Sequence, residues 1–265
     1  MAVTQEGSKL IGDWQQPVNQ WSDLPGSIHN DEVAHKVGMR GGTIPGTVHL
    51  DHFSPLAEEL WGQRWRLEGG ISMYYTFATT HMEDVRAFVN LDEEMVEEDN
   101  PLFDAWLENK DGRVVCKGSI GVGKAPASSY IRGLPLDNAE RDQLKILAEL
   151  QVGRDLDPVV FAPDGIDDVL APSAIYHQLM MPFPRKSVAQ PSVGFFGGTD
   201  LRLIRGPIRG GVNYVKKGKV VCVGASPKTE FAWIDSSLND TDGNLIAEMR
   251  HMTRWMKVSS PLWQE

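Results

Sequence analysis

WLENKDGRVVCKGSIGVG (residues 106–123) and WIDSSLNDTDGNLIAEMRHMTRWMK (residues 233–257) follow one plan: tryptophan, strand, Asp-Gly turn, strand. Asp111-Gly112 and Asp242-Gly243 each sit between apolar runs, the pattern of a β-hairpin. The correspondence extends upstream. Ile44-Pro45-Gly46 opens TVHLDHFSPLAEELWG and Ala171-Pro172-Ser173 opens AIYHQLMMPF, so each copy also predicts a proline-started apolar helix. Pro45 lies 127 residues before Pro172 and Asp111 lies 131 before Asp242, offsets that one loop insertion reconciles.

Each copy then has an opening loop, a helix of about four turns, and strands such as SMYYTFATT, VRAFVNL, KVVCVGAS and TEFAWID. A helix on one face of an antiparallel sheet, made twice, predicts a duplicated α+β fold with the two sheets side by side and their edges buried. Between the copies, turn formers bracket NAERDQLKILAEL, which predicts a helix capped by Asn138 with Arg141, Lys145 and Glu149 facing solvent. The expected organisation is an N-terminal copy over 1–123, a linker over 124–165 and a C-terminal copy over 166–265.

Composition bounds the function. The 265 residues are 41% hydrophobic, enough for one large or two small cores. No run reaches the roughly 18 apolar residues of a membrane span, and MAVTQEGSKL lacks a signal-peptide core, so a cytoplasmic protein without a membrane partner is expected. A net charge of -10 argues against a nucleic-acid partner. Arg202, Arg205, Arg209, Lys216, Lys217 and Lys219 cluster, and Asp92 to Asp99 holds six acids in eight positions; both read as solvated rims. Cys116 and Cys222 lie in strand-like apolar runs and read as buried reduced thiols.

GSIHNDEVAHKVGMRGGTIPG (residues 26–46) holds the chemistry. It joins His29 through a short loop to the start of the first helix, whose unpaired N–H groups and positive dipole end suit a carbonyl oxygen while an imidazole moves a proton. The stretch resembles the MaoC-like branch of the hotdog fold, the (R)-specific enoyl-CoA hydratases and related dehydratases. An Ile-His-x-Asp setting, an alanine and glycine soon after, and a glycine before a buried helix all match. The duplicated plan is similar to the double-hotdog members, two antiparallel sheets each wrapping a central helix, and covers nearly the whole chain.

By that resemblance His29 with Asp31 occupies the family's histidine and following aspartate, Ala34 and Gly38 fit the loop, and Gly46 opens the central helix. The N–H of Gly46 or Thr47 would hold the thioester oxygen of an acyl-CoA or acyl-carrier substrate. His29 would then exchange a proton in adding or removing water. Family hydratases place an aspartate five residues before the histidine, where this chain has Leu24. Asp23 is one residue too early, which leaves the partner of His29 open between Asp23 and Asp31. Double-hotdog hydratases commonly hold this loop in the C-terminal copy, whereas here it lies in the N-terminal one. DPVVFAPDGIDDVLA, before Pro172, has no histidine, so one active site per chain is expected.

Two other readings stand beside the lyase. One is a thioester hydrolase in which Asp31 or Asp51 activates water, and the other a noncatalytic protein that binds a hydrophobic ligand between the copies. His49 and His52 flank Asp51 at metal-ligand spacing, but without further ligands His49 reads as a secondary site residue and no metal site is expected. His81, His177 and His251 read as packed or surface imidazoles. Tyr74, Tyr75, Trp233 and Trp255 read as core or interface aromatics. No cofactor is implied, and the chain is expected as a monomer or homodimer.

Overall fold

A computed structural model of the chain describes residues 2–92, 98–123, 129–166 and 171–263. Strands β1 (Val3–Glu6), β2 (Lys9–Gly12), β3 (Gly69–Tyr75), β4 (Val85–Asn90), β5 (Leu102–Asn109), β6 (Val114–Val122), β7 (Asp155–Phe161), β8 (Val193–Leu203), β9 (Tyr214–Ala225), β10 (Thr229–Asp240) and β11 (Leu245–Met256) form one 11-stranded antiparallel sheet. Its order is β1-β2-β4-β5-β6-β3-β8-β11-β10-β9-β7. Outward from the centre, β3-β6-β5-β4-β2 on one side repeats as β8-β11-β10-β9-β7 on the other. The two sheets expected are therefore joined into one. β3 pairs with β8, Gly70 to Tyr74 against Arg202 to Gly198, so the central edge of each half satisfies the other's backbone groups.

The two hairpins close alike. Asn109 Oδ1 accepts from the N–H of Asp111 and Arg113 (3.1 and 2.9 Å), and Asp240 Oδ1 from those of Asp242 and Asn244 (3.0 and 2.7 Å). Gly112 and Gly243, at φ 74° and 86°, supply the left-handed residue that each turn requires.

The helices are α1 (Asp31–Lys36), α2 (Gly46–His49), α3 (Ser54–Trp61), α4 (Gln63–Glu68) and α5 (Pro172–Leu179). A 3-10 turn over Leu50–Phe53 joins α2 to α3, so the first helix is long but segmented. α5 has 8 residues and falls short of the expected four turns. Met181 precedes Pro182, which disfavours the helical region, and Met180 has already turned out at ψ 116°. Leu50, Phe53, Leu56 and Trp65 pack with Ile175, Tyr176 and Leu179 in one core under the sheet.

The helix expected over 138–150 does not form. Asn138 Oδ1 accepts from Val223 N at 3.0 Å, and the segment makes one 3-10 turn, Arg141–Gln143, capped by Glu140. The N–H groups of Lys145, Ile146 and Leu147 go to the fully buried carboxylate of Glu230 at 2.8, 2.9 and 2.8 Å. A helix needs those donors for carbonyls four residues back; here a charged acceptor takes them. Ile146, Leu147 and Leu150 instead cover Leu156, Val220, Ala232 and Trp255 as a second core. The segment read as linker ends in β7, an edge strand on β9, and Pro158 falls in its register shift between Leu156 and Val159, where a missing N–H is tolerated.

Residues 93–97 of the acidic run, 124–128 of the linker and 167–170 before α5 lie outside the described residues. Both cysteines are buried and unpaired, and burial raises both thiols above their ordinary value. Among the described residues no helix is long and apolar enough to cross a membrane.

Candidate active site

His29 is held by its backbone. Successive turns carry the chain from Trp21 to Asn30, whose Oδ1 caps α1 by accepting from Glu32 N (3.0 Å) and Val33 N (3.4 Å). After α1 the chain returns so that Thr43 N donates to Ile28 O at 3.0 Å and Gly42 lies against the His29 peptide. Asn19 Nδ2 donates to the His29 carbonyl at 2.8 Å. A Cβ on Gly42 would sit 2.2 Å from that carbonyl oxygen, so glycine is required by this approach. Gly42→Ala therefore is expected to push the His29 loop away at a stability cost of about 1–3 kcal/mol, which urea denaturation checks.

The ring is held as firmly. His29 Nδ1 lies 2.7 Å from the Thr43 carbonyl, which can only accept, so Nδ1 carries the hydrogen and Nε2 keeps a free lone pair. Burial holds this imidazole below its ordinary value, partly offset by the Thr43 bond. Burial thus suits the neutral imidazole, whose Nδ1 hydrogen the Thr43 carbonyl accepts.

A cavity of about 1000 Å³ opens in front of it. The first half contributes His29, Gly46, Thr47 and His49, with Ile28, Met39, Ile44, Val48 and Phe77 as apolar wall. The second half contributes Ser173, Tyr176, His177, Phe195, Phe196 and Arg254. Gly46 and Thr47 are the first residues of α2, so no helical bond uses their N–H groups. Tyr75 explains the glycine: a Cβ at Gly46 would lie 2.8 Å from its ring.

The structure thus brings His29, Gly46, Thr47 and His49 to one cavity and leaves Asp23 and Asp31 outside its lining. Asp23 lies on the exposed turn before His29. Asp31 Oδ1 accepts from Gly42 N at 2.6 Å and so ties the loop. His49 Nε2 lies 2.8 Å from Thr79 Oγ1, and its ring is 5.6 Å from that of His52. Burial, with the charge of His52 a lesser cause, lowers His49 to about 3, and burial lowers His52 to about 4, so both are neutral. Among the described residues, no three His, Cys, Asp or Glu side chains gather as a metal site.

Tyr74, Tyr75 and His177, read from sequence as core or surface residues, also line the cavity, as do Ser173 and Arg254. Arg254 donates to Tyr74 Oη at 2.7 Å and to Thr229 Oγ1 at 3.2 Å. The signal for Ser173 was present: Pro172-Ser173 stands where Pro45-Gly46 stands in the first copy, and both helix starts reach the same cavity.

No protein-family model and no curated protein matches the chain. Solved structures do. A MaoC domain protein dehydratase from Chloroflexus aurantiacus is 9% identical with a TM-score of 0.57, covering 96% of this chain and 95% of that one. The dehydratase domain of PpsC from Mycobacterium tuberculosis, solved with C12:1-CoA, is 10% identical with a TM-score of 0.55, covering 96% and 97%. The tesB protein of Mycobacterium avium subspecies paratuberculosis is 12% identical with a TM-score of 0.54, covering 96% of each. MaoC domain and PKS dehydratases are thus among the structural neighbours of this chain, and the fold it shares with them is the hotdog fold.

Proposed function

We propose that the chain is a double hotdog, each half folded about its own helix, and a hydro-lyase that adds or removes water on an enoyl or 3-hydroxyacyl thioester. The observation that supports this most is that His29, whose Nδ1 is bonded to the Thr43 carbonyl and whose Nε2 keeps its lone pair, lines one large, mostly apolar cavity together with the start of α2. In dehydration Nε2 takes a proton from C2, and the N–H of Gly46 or Thr47 stabilises the thioester oxygen as it gains charge. Hydration runs the same steps backwards.

A CoA thioester fits this reading. The PpsC dehydratase domain was solved with one, and a second cavity of about 430 Å³ adjoins the first through Met39, Phe195 and Arg254. Lys228 lines that second cavity and, with Arg254, would meet a carrier phosphate. A thioester hydrolase needs a carboxylate beside the carbonyl to activate water. Asp31 and Asp51 are bonded to Gly42 and Ser173, and neither lines the cavity.

The test is hydration of crotonyl-CoA followed by loss of its ultraviolet absorbance, with binding but no turnover marking a ligand carrier. The pH dependence has a definite sign. Dehydration needs neutral His29, whose value lies below the ordinary 6.5, so kcat/KM rises from the acid side and reaches its plateau by neutral pH. A rising limb centred above 6.5 contradicts the assignment of His29 as base.

A further inference from the structure

Among the described residues no carboxylate lines the cavity, yet expulsion of hydroxide from C3 needs a proton. One route brings a carboxyl group to it. Ser173, at the start of α5, lines the cavity from the second half. Its Oγ donates to Asp51 Oδ2 at 2.5 Å, and its backbone N–H donates to Asp51 Oδ1 at 2.9 Å. Asp51 comes from the first half, in the turn between α2 and α3, so the pair bridges the halves at the cavity wall. We infer that Ser173 is the second catalytic residue, passing a proton between Asp51 and the hydroxyl of the substrate opposite His29. This rests on the hydro-lyase reading.

The step balances. The C2–H and C3–O bonds break and the C2=C3 bond forms. The C2 proton goes to His29 Nε2, and its electron pair moves into the new double bond through the thioester enolate. The leaving oxygen keeps the C3–O pair, takes the Ser173 proton and departs as water. In this step Asp51 Oδ2 carries the proton and gives it to Ser173 Oγ, reversing the polarity of the Ser173–Asp51 bond, and water returns the His29 proton to Asp51. Burial raises the Asp51 carboxyl above its ordinary value, against the lowering effect of both Ser173 bonds. Asp51 acts through Ser173 and is a positioning residue.

Ser173→Ala separates this role from helix capping, because alanine keeps the N–H bonded to Asp51 Oδ1 and loses only the hydroxyl. With crotonyl-CoA as substrate, Ser173→Ala is expected to lower kcat about 100-fold with KM within about threefold. Ser173→Thr, which restores a hydroxyl, is expected to recover most of it. Asp51→Asn is expected to lower kcat with KM likewise unchanged. Full kcat in Ser173→Ala while His29→Ala is inactive overturns the relay and leaves the hydro-lyase reading standing. Full kcat in His29→Ala, or no hydration by the unaltered protein, overturns both.

Discussion

His29→Ala is expected to lower kcat for the proposed enoyl-thioester hydration by about 10² to 10⁴-fold and to leave the protein folded. The loss is large because nothing else takes over the proton. His49 is a buried imidazole already bonded to Thr79. Asp31 is held on the Gly42 N–H, and Asp23 lies on an exposed turn. The fold survives because the loop is fixed by backbone groups: Asn19 on the His29 carbonyl, Thr43 on Ile28, and the Asn30 cap on α1. The bond from Nδ1 to the Thr43 carbonyl, about 1 kcal/mol, is lost together with the ring contact to Trp21. Steady-state kinetics with thermal unfolding check both halves of this prediction.

Glu230→Ala has the opposite signature. Its fully buried carboxylate accepts three consecutive N–H groups, from Lys145, Ile146 and Leu147. Alanine leaves those donors unpaired at about 1–3 kcal/mol each, so a loss of at least about 3 kcal/mol is expected in urea denaturation. Glu230→Gln, which keeps one acceptor oxygen, is expected to lose less. Glu230 does not line the cavity, so the residual folded protein keeps its kcat. A loss below about 1 kcal/mol in Glu230→Ala contradicts the role given to that carboxylate.

Glu230 also shows why part of the fold was not legible in the sequence. Local signals suffice where the partner is near in the chain: the Asp-Gly turns at 111–112 and 242–243 close on Asn109 and Asp240 a few residues away. The segment over 138–150 has helical periodicity, but a carboxylate more than 80 residues along the chain takes its donors. Similarly, the pairing of β3 with β8 unites strands whose edges carry no sequence mark. The site divides the same way. His29, Gly46 and Thr47 were legible because one loop brings them to one helix start. Arg254 was not, because it reaches the cavity through packing that a pattern in one sequence does not encode, and Ser173 was marked only by its match to Gly46 at a proline-started helix. The family resemblance offers Asp23 and Asp31 as partners of His29, and the exposed turn and the Gly42 bond direct them elsewhere.

The central claim is a proton exchanged at C2 by His29 rather than water added at a thioester carbonyl. Incubation of the protein with crotonyl-CoA in deuterium oxide, followed by mass spectrometry and proton NMR of the product, distinguishes these most directly. The expected result is 3-hydroxybutyryl-CoA with one deuterium at C2 and no release of free CoA, lost in His29→Ala. Free CoA thiol with crotonate that carries no deuterium at C2 would contradict it.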